Sequence, residues 1–151
     1  MAIEFASGVV PVNHSDGEWS MINQELIERA AAVVNTRKTS NGLFGDVGCA
    51  LLSVENKVYV GVCADSGSNV FCAEQNAIGS MITDGVYRIA KIVAVWKDED
   101  DVAHILSPCG NCRQVMLEMD RENLKAEIIL DHDKTVALEE LLPYHDWWKK
   151  Q

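Results

Sequence analysis

The sequence predicts an α/β protein, a mixed sheet with helices on both faces. Three observations carry this expectation. Residues 47–52 and 58–62 are apolar runs joined by the polar turn "SVENK", which predicts a β-hairpin. "IAKIVAVW", residues 89–96, is a continuous apolar run, as in a central strand covered on both faces. Helical patterns follow the hairpin and alternate with further strands, giving the order α, β, β, α, β, α, β.

Each element has a local reason. Residues 1–19 mix Gly, Pro, Asn, Ser and Asp and read as a loose N-terminal arm. Ser20 is placed to cap a helix whose apolar face holds Leu26, Ile27, Ala30, Ala31, Val33 and Val34. "TRKTSNGLFGD" ends that helix as a loop. After the hairpin, "SGSN" leads into a helix opened by Cys72. The central strand runs into "KDEDD", a solvated acidic turn, and a second cysteine-bearing helix follows at Cys109. A strand "AEIIL" and the tail "VALEELLPYHDWWKKQ", with a short amphipathic helix, close the chain. The length of 151 residues predicts one domain, residues 20–151.

The formal net charge of −10 argues against a nucleic-acid groove, which needs clustered Lys and Arg, and against an anionic membrane. No apolar run is long enough to span a bilayer. The first residues lack the basic start and apolar stretch of a signal peptide, so a cytoplasmic location is expected. In that reducing compartment five cysteines are not expected to form a disulfide framework. A small neutral or cationic substrate suits the acidic chain.

Three of the cysteines fall at helix starts. Pro108 is expected at the first position of its helix, where its missing N–H is not needed. Cys109 and Cys112 are three apart and share a face of the first turn, and Cys72 opens the other helix. If the two helix starts converge, Cys72, Cys109 and Cys112 can hold one zinc ion (Zn2+) per chain, with a fourth position open. The positive ends of two helices offset the net negative charge of three thiolates around a dication. Arg113 is expected to hydrogen-bond a thiolate from outside the ligand set. Glu74, two residues past Cys72, is then placed to move protons between water and a leaving group.

"CAEQNAI" and "SPCGNCRQ" together resemble the cytidine deaminase superfamily, in its branch acting on small free nucleosides. The resemblance extends from the Ser20 helix to "ELLP". It implies a three-layer α/β/α sandwich around a five-stranded mixed sheet, and a homotetramer or homodimer. It also implies hydrolysis of a cytosine-type amino group in a nucleoside or nucleoside analogue. Cys72, Cys109 and Cys112 would bind zinc and Glu74 would shuttle protons. The Ala73 N–H would hold the pyrimidine carbonyl, and the Ser107 carbonyl would receive the departing amino group. "ILSPCGNCRQV", and "ELLP" followed by Tyr144, Trp147 and Trp148, are similar to the blasticidin-S deaminase group, whose substrate is a cationic cytosine antibiotic.

The chain also departs from the family pattern. Gln75 stands where ordinary members have an Arg beside the thiolates. Cys63 falls at the Asn, and Asp65 near the Glu, that grip ribose in those members. Phe44 lies one place early relative to the ring-stacking Phe. The zinc chemistry therefore reads as intact and sugar recognition as altered.

Blander readings remain at this level. The alternatives for the three cysteines are packing, a redox pair, or a closed structural zinc site with Cys49 or Cys63 as fourth ligand. Cys49 is expected to pack in the core, and Phe44 to stand in the core or the pocket wall. His14, His104, His132 and His145 follow no ligand spacing. Trp147 and Trp148 are candidates for closing the site, lining a subunit seam or packing on their own subunit.

Overall fold

The structure, a computed structural model, describes residues 21–146. Helix α1 spans Asn23–Ala32 and buries Leu26, Ile27 and Ala30. Its N-cap residue is Ile22 and makes no side-chain cap bond. The expected cap Ser20, the N-terminal arm, Trp147 and Trp148 lie outside the described residues.

The expected loop after α1 is instead a tight hairpin: β1, Arg37–Thr39, pairs antiparallel with β2, Gly42–Ser53. β2 then pairs with β3, Val58–Asp65, so the expected hairpin is present with longer strands. β4, Val70–Phe71, precedes helix α2, Ala73–Thr83. The apolar run becomes β5, Ile89–Lys97, and β6, Ala103–Leu106, folds back on it across the acidic turn. Helix α3, Gly110–Met119, and a 3-10 turn, Arg121–Lys125, lead to β7, Glu127–Asp131. β8, Lys134–Ala137, and the short helix α4, Leu138–Leu141, complete the order.

The sheet is mixed, as expected, but has eight strands among the described residues rather than five. Its path is β4-β3-β2-β5-β7-β8, with β1 added to β2 and β6 to β5. The β5–β7 pair is parallel, and the crossover between them carries α3. The extra strands β1, β4 and β6 are short and mostly exposed.

Alternation along the strands separates two cores. Ala50 and Leu52 join Leu26, Ile27 and Ala30 of α1 on one face. Cys49 and Leu51 join Ala77, Ile78 and Met81 of α2 and Met116 of α3 on the other. The layers are therefore α/β/α, with both cysteine-bearing helices on one face. Cys49 is fully buried in that core, in agreement with its expected packing role.

Two local features fix the cysteine-bearing helices. A Cβ on Gly61 of β3 would meet the Ala77 amide nitrogen of α2 and sit 2.9 Å from the Ala73 carbonyl oxygen, so only glycine lets α2 approach this closely. Gly61→Ala is expected to cost about 1–3 kcal/mol by overpacking. Thermal unfolding should show this as a fall of roughly 2–4 °C per kcal/mol. Asn123 is buried, yet every polar atom is used. It donates to the carbonyls of Tyr87 and Met116 at 2.9 Å and accepts from Ile89 N at 2.8 Å, tying the end of α3 to the start of β5.

No helix among the described residues is long and apolar enough to cross a membrane.

Candidate active site

The two helix starts converge. Cys72 is the N-cap residue of α2 and Cys109 that of α3. Pro108 thus stands one residue before the cap, not at the first helical position, because extended backbone at Cys109 precedes the first turn. Cys112 is the third helical residue and fully buried. Its amide N–H donates to Cys109 Sγ at 3.4 Å, which closes the cap.

The Cys72 and Cys109 sulfurs are 3.6 Å apart, the Cys109 and Cys112 sulfurs 3.4 Å, and all three lie within 4.8 Å of one another. The cysteines are free thiols rather than a disulfide. Two helix N-termini, those of α2 and α3, meet at this cluster and lend it their partial positive charge.

Burial, reinforced by hydrogen bonding to Cys109, pushes the Cys72 thiol up to about 11. Burial and the nearby Glu74 charge raise Cys112 further. At Cys109, burial acts upward but is outweighed by the Cys112 amide and the other two thiols, and its thiol is lowered. Glu74, in the first turn of α2, is 6% exposed, and burial raises its carboxyl above the ordinary range.

A cavity of about 330 Å³ opens over these groups. Cys72, Ala73, Glu74, Ser107 and Cys109 line one end of it. Leu43, Val70, Phe71 and Leu106 supply apolar walls, and Asp46, Cys63 and Asp65 supply the polar one.

The family model for the cytidine and deoxycytidylate deaminase zinc-binding region matches residues 21–127. The chain belongs to this family. It is 34% identical over 101 residues to the cytidine deaminase of Mycoplasma genitalium, covering 64% of this chain and 74% of that one. To the cytidine deaminase of Sporosarcina psychrophila it is 37% identical over 106 residues, covering 64% and 71%. The crystal structure of cytidine deaminase from Burkholderia pseudomallei superimposes with a TM-score of 0.64 at 29% identity, covering 82% of this chain and 98% of that one.

The deaminase's donor set fits a zinc ion. Tetrahedral Zn–S bonds of about 2.3 Å place sulfurs about 3.8 Å apart, close to the separations found here. Cys49 and Cys63 stand outside the metal-binding group found among the described residues, so the closed four-thiolate alternative does not form. Cys63 instead donates to Asp46 Oδ1 at 3.0 Å and accepts from Val47 N at 3.4 Å.

Other residues of the deaminase part from expectation. Arg113 has no thiolate partner. Its Nε donates to Pro108 O at 2.8 Å, Nη1 to Leu141 O at 3.0 Å and Nη2 to Ser107 Oγ at 3.0 Å. It thus ties the 107–108 loop to the end of α4. Phe44 does not line the cavity; it faces Arg37 and Ala64 in the sheet, with its ring against Gly42. A register shift between Phe44 and Gly48, with Gly45 at φ 73°, turns the strand so that Leu43 and Asp46 reach the cavity. Asp46 and the apolar walls were not anticipated from sequence. The available signal was a lone carboxylate after Gly45 in an otherwise apolar strand.

His104 pairs with Asp98 at 2.7 Å, His132 with Gln24, and His145 with Leu142 O, all away from the cluster.

Proposed function

We propose that the protein hydrolyses the 4-amino group of a cytosine ring in a small nucleoside, giving the uracil form and ammonia. The observation that carries this reading is the buried Glu74 carboxyl at one end of a cavity that Cys72 and Cys109 also line, with the buried Cys112 sulfur converging on theirs. Zinc held by these three cysteines lowers the pKa of water so that a nucleophile exists at neutral pH.

The chain's own residues do the rest. Glu74 takes one proton from the attacking water and gives it to the ring nitrogen, then carries the remaining hydroxyl proton to the leaving amino group, which departs as ammonia as the C4 carbonyl forms. Its raised carboxyl holds a proton more readily than an exposed glutamate. The Ala73 N–H, which the helix leaves without an intrahelical partner, holds the ring carbonyl. The Ser107 carbonyl accepts from the departing amine. Arg113, through Pro108 and Ser107, keeps that loop in place.

Arg113→Ala removes three charge-assisted donors and should cost about 1.5–3 kcal/mol of stability, with kcat falling alongside. Arg113→Lys should recover little of either, since an ammonium cannot span three oxygens as a planar guanidinium does. Chemical denaturation and steady-state rates on both variants check this.

Cytidine and deoxycytidine are the first substrates of this reading. A blasticidin-type antibiotic is the second, favoured by "ILSPCGNCRQV", the acidic chain and the altered sugar-grip positions Cys63 and Asp65. The test is loss of the cytosine absorbance band on zinc-loaded protein with cytidine, deoxycytidine and blasticidin S side by side. Turnover of blasticidin S alone would move the assignment to the antibiotic.

The same reading takes residues 20–151 as one cytoplasmic catalytic domain assembled as a homotetramer. Light scattering should then give about four times the 16.7 kDa chain mass, and a protomer mass would contradict the assembly. A polynucleotide substrate is disfavoured by the net charge of −10.

A further inference from the structure

The polar wall of the cavity is left unused by the chemistry above. Its three members are not equivalent. Cys63 has its thiol hydrogen on Asp46 Oδ1 and its sulfur under the Val47 amide, so both capacities are spent within the protein. Asp65 is exposed, and its Oδ1 accepts from Gly67 N at 3.1 Å in a turn. Asp46 is half-buried, and a thiol is the one donor it receives among the described residues.

Its placement is built in. Asn35 N donates to Gly45 O at 2.9 Å, and a Cβ on Gly45 would stand 2.6 Å from Asn35 O. The loop after α1 thereby holds the bulge that turns Asp46 toward the cavity. No Lys, Arg or His is among the described residues lining that cavity. A carboxylate there accepts hydrogen bonds only, and its charge is not balanced by a neutral thiol.

We propose that Asp46 is the specificity-determining residue for the part of the substrate remote from the reacting ring. It accepts from a hydrogen-bond donor, a sugar hydroxyl or an ammonium, and rejects a phosphate. This rests on the deaminase reading. A donor satisfies the carboxylate, whereas a phosphate brings like charge beside Asp46 where no Lys, Arg or His among the described residues lines the cavity. With Cys63 spent on Asp46 and Val47, the grip that β3 would supply at that position passes to the carboxylate on the bulge of β2.

The test is steady-state kinetics of the zinc-loaded full chain on cytidine, 5′-amino-5′-deoxycytidine and cytidine 5′-monophosphate. Wild type, Asp46→Asn and Asp46→Ala are compared, with zinc content and thermal unfolding as controls for folding. Wild type should favour both donor substrates over the monophosphate by about 100-fold or more in kcat/KM. Asp46→Asn should raise KM for cytidine about tenfold with kcat within about threefold, and Asp46→Ala should do so at least as strongly. The variants should also narrow the discrimination against the monophosphate. The amine arm separates the two donors: a larger KM effect on the amine than on cytidine marks an ammonium site, and equal effects a hydroxyl site. Cytidine turnover with KM unmoved by either substitution overturns the assignment and leaves the deaminase reading intact. No turnover of any of the three by zinc-loaded wild type overturns both.

Discussion

Glu74→Gln is expected to lower kcat on a cytosine nucleoside by about 10²–10⁴-fold while zinc stays near one per chain. The substitution keeps the size of the side chain and removes its ability to take and return a proton. Glu74 sits in the first turn of α2, two residues from Cys72, and burial already raises its carboxyl. A neutral amide fits that buried site without strain, so stability should hold or rise slightly. KM should change little, because the interaction lost belongs to proton transfer and not to ground-state binding. Stopped-time product analysis together with metal content by mass spectrometry makes the distinction. Full turnover by the Gln variant would remove Glu74 from the mechanism.

Cys112→Ala should be as severe by a different route. Cys112 is fully buried behind Cys109, so its loss takes away the innermost sulfur of the group. Zinc content should fall from one per chain to near zero, and activity with it. Zinc present at about 100 times its dissociation constant stabilises the native chain by about 2.7 kcal/mol. Thermal unfolding of the variant, or of chelated wild type, should therefore fall by roughly 5–11 °C.

The pH response should invert with the metal. Zinc binding needs thiolates, so the holoprotein loses metal, and stability, as pH falls. In the metal-free chain the Cys72 thiol lies at about 11 against an ordinary 9.0. A raised folded-state value contributes stability that is fully present below about 9 and is lost as pH rises through about 11. Apo unfolding scans between those limits, beside holo scans in acid, measure both directions.

The grouping of three cysteines with Glu74 was legible in the sequence because it depends on local spacing. Cys109 and Cys112 share a helix face by arithmetic alone, and Cys72 and Glu74 lie in one first turn. The central strand was legible because it is apolar throughout. The short edge strands were not: "RKT" and "AHIL" are three and four mostly exposed residues without a period to read.

Arg113 was misplaced for a geometric reason. Adjacent helical residues point about 100° apart, so a side chain next to Cys112 faces away from the sulfurs and reaches Pro108 and Leu141 instead. Asp46 was missed because the strand was expected to start at residue 47, and a bulge is invisible to alternation. Phe44 was lost to the cavity by that same bulge.

The central claim is that three sulfurs and one buried carboxyl make a hydrolytic deaminase of the cytosine ring. The most direct measurement is the product formed from cytidine by the zinc-loaded protein, followed by chromatography with ammonia quantified in parallel. The account predicts uridine and ammonia in equal amounts, abolished by chelation and restored by zinc. Unchanged cytidine, deoxycytidine and blasticidin S in the presence of protein carrying one zinc per chain would contradict it.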